Sequence, residues 1–485
     1  DDLEKEIQSR KQKYEEKVKW KEFINRIKNN KIHEDDKNKC NSLKDFAYGR
    51  EKTNKILKEL SIQPTPENAH RLLIKLNIWN ETVNPYIKRL NFTIPSHFPD
   101  VPEIEQEERL DLTYLEAFAI DDEGNKDPDD AISIDGNKLW VHIADVASLV
   151  TPDSPLDNHA QSMCANLYLP EKTVTMLPEK ITSLFGLGLN EISPALSFGM
   201  TLNDDGQLND IEIAPTLIKV TRLTYQQAEQ KLQSSPLKEI YNLIQKFQNY
   251  RRSQNCVFLT FPEVKIKAYE NTVIINRLPD LRSRQLVTES MVMAGEASAR
   301  VAYKNKIPFP YVSQSPPETI EHPKDLAAMF AYRKLLKPGE THTIPAPHSG
   351  LGLKIYSRST SPLRRYIDLI AHQQLRAYIN NRQPIDDQTI VNRVGSYEAL
   401  IGNINKLERL SNLHWTLVYL HQNPTWQGQG IVVDIKDHFA VIIIPELGME
   451  TRMVINRNLS LNYIFTLKVT GIDIPGLSIH FQIID

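Results

Sequence analysis

Apolar residues recur along this chain in three different rhythms. Trp20, Phe23, Ile24 and Ile27 fall at helical spacing in a Lys- and Glu-rich background, so residues 1–60 are expected to form one or two surface helices. The run ENAHRLLIKLNIW (67–79) predicts a further helix, after which Pro85, Pro95, Pro99 and Pro102 punctuate a linker. From 111 to about 420 the rhythm changes. Short strand-like runs such as FAI, AISI and LWVHIADV mix with helical stretches and lack a βαβ alternation, which is the pattern of an α+β domain. Residues 428–485 read as strands alone: GIVVDI, FAVIII, METRMVI, FTLKVTGI and LSIHFQI. Five short strands suit an OB-fold barrel, a common binder of single-stranded nucleic acid, with a small barrel of structural or docking role as the lesser alternative. The expected division is a helical region over 1–105, a central mixed α/β domain over 106–425 and an all-β barrel over 426–485.

Within the central domain, six of the ten positions from Asp121 to Asp130 are carboxylates. They lie between the strand-like FAI and a hairpin formed by AISI and LWVHIADV around the turn Asp135–Lys138. Charges so crowded repel, and a fold that holds them together needs a cation among them. Hard oxygen ligands suit magnesium or manganese, and magnesium completes its shell with water and substrate phosphate, which points to phosphodiester hydrolysis. From spacing alone a solvated acidic loop is the competing reading. A calcium loop fits poorly, because no Glu stands at its twelfth position and Pro128 stiffens its middle.

Composition narrows the setting. The chain is 40% hydrophobic and 25% charged, as soluble globular proteins are, with no apolar run long enough for a membrane span and nothing resembling a signal peptide. It opens on Asp rather than Met, as a processed or trimmed form does. Cys40, Cys164 and Cys256 are far apart, which argues for a reducing compartment and against a zinc site. Net charge is −3, yet residues 1–60 carry 17 Lys and Arg against 13 Asp and Glu, so any nucleic acid is held by local basic lining.

A second constellation lies in HSGLGLKIYSRSTSPLRRYIDLIAHQQL (348–375). Ser361 is a good N-cap and Pro362 a good first helical residue, with Leu363, Ile367, Ile370 and Leu375 following as an apolar face. Arg364 and Arg365 then fall in the first turn, where cations oppose the helix dipole unless an anion such as phosphate sits there. The bland alternative pairs one arginine with Asp368 and leaves the other to water. His142 and His372 both lie in apolar runs, as core histidines do.

The order Asp121, Asp127, Asp129, Asp130, VHIADV, NLYLPEKTVTMLP (166–178), SPALSFGMTL (193–202), RLTYQQ (222–227), LVTESMVMAGEASARVA (286–302) and STSPLRRYIDLIAH (359–372) resembles the catalytic domain of the ribonuclease II and ribonuclease R (RNB) family of 3′–5′ exoribonucleases. The resemblance covers roughly residues 110–420, and the C-terminal barrel matches the OB-fold that ends that family's chains. It implies degradation of single-stranded RNA from the 3′ end, one 5′-mononucleotide at a time, with magnesium or, alternatively, manganese. It further implies that Asp121, Asp127, Asp129 and Asp130 build the metal site, with Asp129, Asp127 and Arg364 in the catalytic set. RNA contacts would come from Tyr168 (base stacking), Tyr225 and Glu289 (near the terminal sugars), Arg364 and Arg365.

Some positions depart from the family pattern. Pro128 replaces an apolar non-proline residue. The base-stacking aromatic falls at Leu259, with Phe258 and Phe261 beside it, and a downstream glutamate aligns with Glu408 or Arg409 and stays outside the catalytic set. Residues 1–105 lack cold-shock strand patterns and suggest a helical module, with a winged-helix-like arrangement as one form. The expectation is a processive exoribonuclease working as a monomeric catalytic unit, cytoplasmic or in an organelle matrix, with single-stranded RNA as its partner and membership of a degradation complex left open. A degenerate family member that binds RNA without cutting, and a phosphodiesterase acting on DNA or cyclic nucleotides, are the alternatives.

Overall fold

The computed structural model describes residues 2–270, 272–454 and 459–484. The chain begins with a helix, Asp2–Lys28, whose first half stands in solvent. Its end buries Phe23, Ile24 and Ile27 against Leu43, Phe46, Ile56, Leu57, Leu72 and Leu73. This apolar contact turns the expected surface helices into a small packed module. Two of its helices start on side-chain caps: Asn54 accepts from Ile56 N and Leu57 N, and Thr65 accepts from Asn68 N ahead of the helix Pro66–Lys75.

The central sheet has seven strands. In spatial order they are Leu110–Asp111, Leu208–Ile218, Ser193–Leu202, Lys138–Ala144, Asp130–Asp135, Ala117–Asp121 and Val220–Thr224. The interior pairs are antiparallel and both edge pairs are parallel, so the sheet is mixed and the domain α+β. The expected hairpin is present, with Asp135 opposite Lys138 across Gly136 and Asn137. Both faces are covered. Phe118, Ile120, Val141, Ile143 and Phe198 pack with residues of the helices Leu237–Ser253 and Arg282–Lys304, while Ala119, Trp140 and Ala144 share a cluster with Tyr366, Ile367 and Ile370. Burial on two sides explains why these strands read as apolar runs rather than as clean alternation.

The helix expected to begin at Ser361 and Pro362 begins instead at Tyr366 and runs to Ile379. The Asp368 carboxylate accepts from Thr360 N and Ser361 N (2.8 and 2.9 Å), and Arg365 N donates to Ser361 O within a turn. Backbone pairing with the segment after Met163 holds this turn extended: Asn166 N donates to Arg364 O, and Tyr366 N to Cys164 O, both at 2.9 Å. Arg364 and Arg365 therefore precede the helix.

A 36-residue helix, Asp387–Gln422, then leads into a five-stranded antiparallel barrel. Its strands are ordered Met449–Val454, Phe439–Ile444, Gln427–Lys436, Ile464–Asp473 and Ser478–Ile483, around Val432, Ile442, Ile444, Phe465 and Leu467. This is the OB-type order, nearly closed; Ile455 of the METRMVI run lies outside the described residues. Gly430 lets the first strand approach Leu467, Phe465 and Ile442 too closely for a side chain. Among the described residues, no helix is long and apolar enough to cross a membrane.

The N-terminal module is tied to the rest by Arg71, which forks onto Asp473 of the barrel, and by a seam of buried rings. His70 and His414 are both fully buried there, and neither nitrogen of either ring has a hydrogen-bond partner. Burial, the largest cause, depresses His70 to about 4 and His414 to about 3. Both values lie below the ordinary 6.5, so the folded chain binds fewer protons than the unfolded one. Stability is therefore full above pH 6.5 and falls as pH drops from 6.5 toward 4. At pH 5 the expected loss is about 2 kcal/mol per ring. Urea midpoints at pH 7 and pH 5 test this: wild type should lose stability between them, and His70→Leu should lose clearly less.

Candidate active site

The acidic loop joins two adjacent strands, so its ends are fixed by the sheet. Asp121 closes the strand Ala117–Asp121, and Asp130 opens the next. Between them Pro128 is buried and its carbonyl accepts from Leu187 N at 3.0 Å, while Asp129 O accepts from Ala144 N at 2.8 Å. The proline thus fixes the loop without removing a needed donor.

Asp129 is the hinge of the site. It is 2% exposed; its Oδ1 accepts from Leu363 N and its Oδ2 from Arg364 Nε, both at 2.9 Å. The two constellations read separately in the sequence therefore meet. Burial pushes the Asp129 carboxyl up to about 8 against the pull of Arg364, and Asp130 up to about 7, with Asp121 beside it adding repulsion. Asp121 is likewise raised, chiefly by burial. Burial opposes the charge of Arg364, but Asp129, Tyr168, Asp130 and Asp127 around it hold its pKa above the usual value. Asp127 is gripped from the other side: its Oδ2 accepts from the Tyr168 hydroxyl at 2.6 Å and from Asn166 Nδ2 at 3.1 Å.

The remaining carboxylates are diverted. Asp122 pairs with Arg284 and with Lys265, which lower its pKa against the cost of burial, and Glu123 is exposed. Among the described residues no three carboxylates, imidazoles or thiols close around one point, so the side chains form no complete metal cage. Their chemistry nevertheless suits a hard divalent ion. Among the described residues no donor reaches the Asp130 carboxylate, whose charged neighbours are Asp121, Arg364 and Arg365, and only Oδ2 of Asp127 accepts hydrogen bonds. A few such oxygens suit an ion that retains water and takes up substrate phosphate.

The other expected site residues separate into near and far. Tyr168 is half-exposed beside Asp127, and Tyr225, first residue of the helix Tyr225–Lys231, feels Asp130 and Asp121 and lies 4.1 Å beneath the Arg284 guanidinium. Arg365 is turned onto Asp368 at 2.7 Å, which is the bland pairing weighed from sequence. Glu289 is buried and ion-paired with Arg251, so it presents itself as wall. His142 is a core residue, bonded to Ser133 and Ser197, and His372 bonds the Ser359 carbonyl.

Sequence reading passed over Asn166 and Arg284 and left Glu408 outside the catalytic set. Asn166 lay inside the quoted NLYLP run and Glu408 in NKLERL, where its carboxylate accepts from Tyr168 N at 2.8 Å. Arg284 carried no local signal, because its partner Asp122 is 162 positions away. Arg284 also walls a cleft of about 710 Å³ between this domain and the barrel, lined by Leu259, Phe261, Arg277, Leu278 and Ile431 among others.

The RNB domain model matches residues 109–381, the span that holds the mixed sheet and the acidic cluster. The chain belongs to the RNB-domain family, and a double helix-turn-helix domain model matches residues 3–85. It is 32% identical to an uncharacterized ribonuclease of Synechocystis sp. over 463 residues, 88% of this chain and 69% of that one. It is 28% identical to the chloroplastic/mitochondrial ribonuclease II of Arabidopsis thaliana, covering 81% of this chain and 54% of that protein. The chain thus spans about half to two-thirds of these relatives' lengths. Among solved structures, the Dss1 exoribonuclease of Candida glabrata superposes with a TM-score of 0.79 at 19% identity, over 96% of this chain and 69% of that one, a likeness of fold.

The pairing pattern sorts the carboxylates. Asp122→Asn should lower ribonuclease turnover by less than about fivefold, since its charge is already spent on Arg284 and Lys265, whereas Asp130→Asn should cost about a thousandfold or more. Steady-state rates on one labelled RNA check the contrast, and equal losses would overturn the sorting.

Proposed function

We propose that this chain is a 3′-to-5′ exoribonuclease that shortens single-stranded RNA processively to 5′-mononucleotides with a divalent cation, magnesium or manganese. The observation that carries the reading is Asp129, buried and bonded at once to Leu363 N and Arg364 Nε, with Asp130 and Asp127 alongside. Asp130, Asp121 and the free oxygen of Asp127 would hold the cation, and Asp129 would set the distance between them and the arginine. When bound, such an ion polarises the phosphodiester and makes a water more acidic. Arg364, with a side chain 41% exposed, retains donors for the scissile phosphate and neutralises charge there. Tyr168 offers a ring to a terminal base, and Tyr225 a hydroxyl near the sugar. The cleft under the barrel, with Arg277 and Arg284 on its wall, would carry the upstream strand. Arg365 and Glu289 take supporting places behind these contacts.

Three buried free cysteines support a reducing compartment, cytoplasm or organelle matrix. Family membership and the ribonuclease names of its relatives support an RNA substrate.

Asp129→Asn is close to isosteric and keeps an acceptor for Leu363 N while removing the charge facing Arg364. The variant should bind a labelled RNA normally with EDTA present and release no mononucleotide when magnesium is added. Persisting turnover would overturn the assignment, and binding without turnover in the wild type would favour the degenerate, RNA-holding alternative. Degradation of a deoxyribo-oligomer at the same rate would instead mark a general phosphodiesterase.

A further inference from the structure

Asn166 sits where four parts of the site meet. Its Nδ2 donates to Asp127 Oδ2 at 3.1 Å and lies 3.2 Å from the Tyr168 hydroxyl, which itself donates to the same Oδ2 at 2.6 Å. Its Oδ1 accepts from Met176 N at 2.6 Å, and its backbone N–H donates to Arg364 O at 2.9 Å. The residue is 4% exposed, so these are the contacts that fix it. Asp127 belongs to a loop with Gly124 and Asn125 nearby, and the hydrogen bonds from Tyr168 and Asn166 are what restrain its carboxylate.

We propose that Asn166 is a positioning residue that, together with the Tyr168 hydroxyl, ties down Oδ2 of Asp127 so that only Oδ1 faces the cation. A carboxylate held by two donors on one oxygen cannot rotate to bind an ion through both oxygens, and it presents the other in a fixed direction. The same pair links the aromatic ring facing the substrate to a ligand of the ion. A ring shifted by a poorly seated base would drag Oδ2 with it, so seating and cation geometry are coupled through a single hydrogen-bonded triangle. Met176 N and the Arg364 carbonyl anchor the asparagine from behind, which keeps the triangle in register with the arginine that meets the phosphate.

This inference rests on the metal-dependent ribonuclease reading, and its test separates the two. Asn166→Ala and Tyr168→Phe each remove one donor to Oδ2, and Tyr168→Phe leaves the Met176 anchor and the ring intact. Manganese binding without RNA, followed by the electron paramagnetic resonance signal of the free ion, should weaken about 10- to 100-fold in either variant. The double variant should lose less than the product of the single losses, because both donors act on one oxygen. The thermal midpoint of Tyr168→Phe should stay at the wild-type value. Wild-type manganese affinity in both single variants would overturn the proposal, as would strictly multiplicative losses in the double variant. A wild-type chain that binds manganese but releases no nucleotide would sink the ribonuclease reading alone, since the binding measurement still judges the triangle.

Discussion

The site depends on one contact between residues 234 and 235 positions apart: the Asp129 carboxylate received by Leu363 N and Arg364 Nε. A buried carboxylate without partners would bear the whole cost of leaving water. Here the backbone N–H and the guanidinium offset part of the desolvation, and in doing so they locate the arginine-bearing turn against the acidic loop. The pairing of residues 164–166 with 364–366 serves the same end, since it keeps that turn extended instead of letting it wind into the following helix.

Much of this was legible from sequence, for identifiable reasons. The hairpin Asp130–Ala144 declared itself through two apolar runs and a two-residue turn, and the barrel strands through even spacing, both local signals. The acidic run was visible as a concentration of charge that folding must explain. The helix start at Ser361 was misplaced because Ser-Pro is a strong local cap, while the competing acceptor, Asp368, takes the Thr360 and Ser361 N–H groups from within the helix and favours a turn there. Glu289 read as a sugar contact by motif position alone; its partner Arg251 lies 38 positions earlier and no local pattern announces the pair. Arg284, Asn166 and Glu408 act through partners distant in sequence or through backbone atoms, which residue type does not reveal.

The family match and the packing say complementary things. The match covers residues 109–381, the sheet and its cover, whereas contacts to the site tyrosine also come from Glu408, beyond that range. The long helix thus backs the candidate site as well as connecting to the barrel.

That helix has a mechanical consequence. At successive turns it carries Glu408 under Tyr168, Ser411 against Asn84 of the N-terminal segment, His414 in the ring seam, Trp415 bonded to Glu171 and Leu420 in the barrel floor. An α-helix transmits tilt along its axis because bending it must strain a ladder of backbone hydrogen bonds. Barrel, N-terminal module and the tyrosine beside the acids therefore rest on one common rod.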